Sequence, residues 1–82
     1  MDVKDWTSEN VKQWFQRIEN GKFAQKYQKF VNHIVVDGVC GVDLMENVND
    51  LSLRMFGVND DKDRAAIMQK IGRMKAKQTQ IK

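Results

Sequence analysis

Apolar residues recur at helical spacing along most of the chain, punctuated by glycines and capping side chains. In "WTSENVKQWFQRI", Val11, Trp14, Phe15 and Ile18 stand at i, i+3, i+4 and i+7, the single stripe of an amphipathic helix. Thr7 is placed to cap its start, with Asp5 and Glu9 near the positive end of the helix dipole, and Gly21 is placed to stop it. The period returns in "KFAQKYQKFV" through Phe23, Tyr27, Phe30 and Val31, while Lys22, Lys26 and Lys29 form a solvated row on the other side.

"NHIVVDGVCGVDLM" interrupts the pattern. "HIVV" has strand propensity, but "DG" and a second glycine three residues on cut any strand short. The expectation is a loop that pins Ile34 and Val36 in the core, followed by a short helix around Val42 to Met45. "NVNDLSLRMFGV" predicts another short helix, capped by Asn49, with Leu53 and Phe56 inward and Gly57 at its end. The longest helix falls in "NDDKDRAAIMQKIGRMKAK", with Ala66 or Ile67, Ile71 and Met74 on its buried stripe. Gly72 inside it, about 1 kcal/mol poorer than alanine, predicts a close approach by a neighbour. Residues 76–82 have little to bury and are expected to fray.

The prediction is therefore all-α: a compact five-helix bundle with a long C-terminal helix. Trp14, Phe30, Leu53, Phe56, Ile67 and Ile71 should share one core, and Trp6 should lie at its edge. Eighty-two residues make a single domain, 1–82, with its core at about 6–75. So short a chain buries only about 60–65% of its unfolded surface, which leaves a small margin of stability. A lone cysteine, Cys40, offers no disulfide, and no apolar run approaches 18 residues. These features, with no export signal, predict an intracellular protein, cytoplasmic in preference to nuclear.

The net charge of +3 is modest, but its distribution is uneven. Residues 31–50 carry Asp37, Asp43, Glu46 and Asp50 with no Lys or Arg, whereas residues 64–82 are basic with no acid. That split suits a domain with two faces of opposite sign.

Candidate chemistry is thin. His33 and Cys40 form no nucleophilic pair without a third orienting group and an enclosed cleft, and they fall short of the four ligands of a zinc site. His33 reads as a surface loop residue and Cys40 as a small buried apolar one. "DGVCGV" lacks the lysine and preceding strand of a phosphate loop, and "NDDKD" lacks the later glycine and glutamate of a calcium loop. No catalytic, metal or cofactor role is expected.

The ordered features resemble the sterile alpha motif (SAM) family over residues 6 to 75. The early Trp-Thr cap leads into "VKQWF", "GKFAQKYQKF", an I-x-x-D-G turn and an LM-x-x-V-N step. L-x-x-F-G-V and R-x-x-I-x-x-x-I complete the series. Two departures stand out: the segment Asp37 to Leu53 is a few residues longer than the common pattern, and the last helix opens with "DKDR" where a small or neutral residue usually precedes the arginine. The resemblance implies a non-catalytic interaction module of a larger signalling, scaffold or regulatory protein. It also implies head-to-tail association of an acidic mid-loop surface with a basic end-helix surface.

Carried across by position, the mid-loop surface would be Asp37, Asp43, Glu46 and Asp50, and the end-helix surface Gly57, Val58, Lys62 and Arg64. Asp60, Asp61 and Asp63 weaken the second surface, so another SAM domain is expected as partner, with self-association weak. The alternative implied by the family is RNA-hairpin binding through Lys62, Arg64, Lys70 and Arg73, against which the same aspartates would repel phosphate. Attraction of Lys70, Arg73, Lys75 and Lys77 to anionic lipid lacks an inserted aromatic face, and membrane binding is not expected.

Overall fold

The computed structural model describes residues 2–80, with side chains as far as Lys77. A short 3-10 turn, Val3–Asp5, precedes α1 (Ser8–Arg17), and a second, Ile18–Gly21, leads into α2 (Lys22–Lys26). Then follow α3 (Gln28–Val36), α4 (Gly41–Glu46), α5 (Asp50–Met55) and α6 (Asp61–Gln80). At Tyr27 the backbone turns to φ −122°, ψ 50°, yet the Tyr27 amide still donates to Phe23 and the Val31 amide to Tyr27. Helices α2 and α3 are thus two arms of one kinked helix, and the fold is an all-α bundle of five helical units, without a strand among the described residues. The expectation of a fraying tail falls largely on residues 78–82, outside the described side chains.

Local chemistry sets the boundaries. The Thr7 hydroxyl accepts from the Asn10 amide while the Asn10 side chain accepts from the Thr7 amide, a reciprocal box that starts α1. Asn49 and Ser52 do the same for α5. After α1 the chain turns through three left-handed residues, Glu19, Asn20 and Gly21. Glycine and asparagine tolerate that region, whereas glutamate does so at a cost. Glu19 is held from outside by an ion pair with Lys70 of α6, 3.4 Å away.

Val11 and Phe15 of α1 form the centre of the core with Phe30, Ile34, Leu44, Leu53, Ile67 and Ile71. Phe15 meets Trp14 and Phe30 edge to face, at 4.7 and 4.9 Å. Trp14 itself is only half-buried at the margin of the core, so Phe15 is the ring that fills the space expected for Trp14.

Four other expectations are corrected. "HIVV" is helical: α3 continues through Val36 because another turn buries Ile34, and burial overrides β-propensity. Gly38, at φ 69°, ends α3 with the Val39 amide donating to Ile34 and the Gly38 amide to Val35, so "DG" is a helix stop. Val36 is not pinned inside; one residue before that stop it is 76% exposed. Phe56 stacks on Phe30, ring centroids 5.4 Å apart, but stays 38% exposed because the short α5 turns only Leu53 fully inward. Gly72 faces open space, and the close approach occurs at Gly41. A Cβ there would sit 1.6 Å from the carbonyl oxygen of Val3, and the Gly41 amide donates to Trp6, docking the N-terminal turn on α4.

Candidate protein-interaction surfaces

The acids expected on one surface have unequal freedom. Asp37, at the C-cap of α3, and Glu46, at the end of α4, are exposed. Asp43 is half-buried in the first turn of α4. Its carboxylate accepts from the Asn47 side-chain amide at 2.8 Å and from the Cys40 amide at 3.2 Å. Those donors, Asn47 first, hold the carboxyl below its ordinary range. Cys40 is accordingly not a buried apolar filler but a half-buried N-cap whose thiol faces Asp43 at 3.5 Å. His33 is exposed as expected, but on α3, with Nδ1 2.6 Å from the Lys29 carbonyl.

Asp50 opens α5 and is exposed, yet one oxygen accepts from Arg64 Nε at 2.9 Å. This joins the two expected surfaces within one chain, since Arg64 belongs to the other set. Arg64 is 2% exposed. Its Nη1 donates to the Val58 carbonyl at 2.8 Å and its Nη2 to Asp61. Val58 is fully buried as well. Of the four residues expected at the start of the last helix, only Gly57 and Lys62 face solvent. Burial of Arg64 was hidden by its charge: an arginine at a helix start reads as surface unless its carbonyl and carboxylate partners are known.

The three aspartates of "NDDKD" each have a distinct task. Asp60 accepts from the Lys62 amide at 2.9 Å and caps α6; that bond first, then Lys26, holds its carboxyl low. Asp61 holds Arg64. Asp63 accepts from Tyr27 Oη and from Lys26 Nζ, the latter at 2.7 Å, and Lys26 also reaches Asp60 at 3.2 Å. The Asp63 and Asp60 bonds raise the Lys26 pKa, while burial, then the Asp63 bond, raises that of Tyr27. These contacts clamp the start of α6 to the kink between α2 and α3.

A model of the SAM domain (sterile alpha motif) family matches residues 3–75. The chain belongs to this family. SAM domains are generally protein-interaction modules and generally non-catalytic. The chain is also similar to Protein aveugle of Drosophila melanogaster, at 33% identity over 72 residues. The match covers 88% of this chain and 62% of that protein, so the chain spans less than two thirds of the relative's length. No solved structure matches it significantly.

Where this SAM domain exposes its apolar residues emerges only from the fold. Among the described residues, the exposed large hydrophobics are Val35, Val36, Val42, Leu51, Met55 and Phe56, all within the acidic middle third. A signal was present for two of them: Leu51 and Met55 lie at i and i+4 on α5, off the face that Leu53 buries.

Proposed function

We propose that this SAM domain binds a different protein, another SAM domain, through the acidic middle third of the chain. Asp37 and Glu46 are the accessible charges of that surface, with Asp43 and Asp50 at its edge already engaged within the fold. The carrying observation is that the exposed large hydrophobics named above, at positions 35–56, overlap a run of acids, residues 31–50, that contains no Lys or Arg. Apolar side chains supply contact area, and the surrounding acids select a partner bearing Lys and Arg. The domain acts by recognition, without catalysis.

The end of the molecule that would complete head-to-tail chains in a SAM polymer has no exposed arginine here: Arg64 is withdrawn and held by Asp61, which is 88% exposed. It offers an acidic surface little opposite charge, which favours association with a different protein. RNA binding is disfavoured for related reasons: of its four candidate cations, Arg64 is buried and Lys70 pairs with Glu19.

A calorimetric titration of candidate SAM partners with the wild type and with Asp37→Lys/Glu46→Lys tests this reading. The double reversal should weaken binding by about tenfold or more, as like charges brought together cost several kcal/mol, with helical circular dichroism unchanged. Unaltered affinity in the reversed domain would refute it.

A further inference from the structure

One face of α3 carries charges in a graded order. Lys29, His33 and Asp37 stand at i, i+4 and i+8, with Val36 at i+7 among them, and all four are exposed. The face therefore runs from cation through imidazole to carboxylate. Beside it lies a cleft of about 220 Å³ floored by Phe30 and Ile34 and closed on the far side by Met55 and Phe56 at the end of α5. Met55 is 78% exposed and Phe56 lies over Phe30, so apolar area borders the charged row along its length.

This row is complementary to itself when reversed. Two copies of α3 laid antiparallel about a two-fold axis would set Lys29 of each against Asp37 of the other. His33 would fall near the axis, and Val36, Met55 and Phe56 would be covered. A two-fold interface needs just this property, that residue i meets j and j meets i. The Lys29 carbonyl can only accept, so His33 Nδ1 donates to it within its own helix. A parallel arrangement would put Lys29 on Lys29 and Asp37 on Asp37, so charge fixes the orientation.

We infer that this face is a self-association surface, and that the partner it fits is a second copy of this chain in a closed two-fold pair. The pair goes beyond head-to-tail association, because a two-fold contact closes on itself and does not propagate. It is small and weak, suited to high local concentration. It rests on the reading of this domain as a protein-recognition module, and it adds regulation: Asp37 belongs to both surfaces, so self-pairing and hetero-association compete.

Sedimentation equilibrium of the full chain, from about 10 µM to about 1 mM, reads the pair directly. The wild type should show a monomer–dimer equilibrium. Lys29→Asp and Asp37→Lys should each weaken it by about tenfold, because each reversal puts like charges together twice across the axis. The double swap Lys29→Asp/Asp37→Lys should restore it to within about threefold, since the row is only inverted. Met55→Lys should abolish it, and melting curves should confirm that each variant, altered only at exposed positions, remains folded. A monomer at all concentrations overturns the inference. So does an association insensitive to Met55→Lys, or a double swap as weak as the two reversals combined. These measurements contain no second protein, so their failure leaves the hetero-association intact. Glu46→Lys should impair that association and leave the pair unchanged.

Discussion

Replacing Arg64 should damage the fold before it damages any surface. In Arg64→Ala the Val58 carbonyl loses its donor, and an unsatisfied buried polar group costs about 1–3 kcal/mol. The aliphatic stem leaves a cavity, adding on the order of 1–2 kcal/mol after partial collapse. Asp50 and Asp61 are 61% and 88% exposed, so water takes over their oxygens and each lost ion pair contributes less than about 1 kcal/mol. Relief of guanidinium desolvation offsets part of the loss. The net is about 3 kcal/mol, from a total of about 4–12 kcal/mol for a domain of this length. At about 4–8 °C per kcal/mol, the melting midpoint should fall by roughly 12–24 °C. Thermal and urea unfolding followed at 222 nm measure this, and Arg64→Met, which keeps the stem, should recover part of it. If Arg64→Ala melts within about 4 °C of wild type while partner binding disappears, Arg64 is a surface contact and its buried role is wrong.

Two further expectations concern glycine and pH. Gly41→Ala should destabilise by about 1–3 kcal/mol in urea titrations, since its methyl group must displace the Val3 carbonyl, whereas Gly72→Ala, in open space, should stabilise by up to about 1 kcal/mol. The carboxyls of Asp43 and Asp60 are held low, so their contribution is present above about pH 4 and is lost as pH falls through their folded values. Lys26 and Tyr27 are raised, so theirs is present below about pH 10 and is lost above it. Asp63→Asn should remove part of that alkaline component, leaving what burial of Tyr27 and the Lys26–Asp60 pair supply, and a variant that keeps it wholly intact would show the Asp63 bonds to be idle.

Much of the bundle was legible because its signals are local. Thr7 and Asn49 cap helices through side chains three residues away, and Phe23, Phe30, Leu53, Ile67 and Ile71 reveal their faces by period alone. What was not legible depended on distant partners. Gly41 yields to a carbonyl nearly forty residues away in sequence, and Arg64 is buried because Val58 and Asp50 wait for it. Val36 and Phe56 misled for the opposite reason, being apolar residues at helix ends that the bundle leaves uncovered. The acidic stretch was legible as composition, but which of its acids are accessible depended on contacts that composition does not contain.

The N-terminal turn, held on α4 by the Gly41–Trp6 hydrogen bond and by burial of Val3, has a dynamic consequence. It is a single three-residue turn anchored by Val3 and Trp6, so it can detach as a unit with less free energy than global unfolding requires. Each detachment releases the Gly41 amide to water while the ladders of α1 and α6 stay closed. In hydrogen–deuterium exchange that single amide would report the lifetime of the docked N terminus, on a clock separate from that of the core.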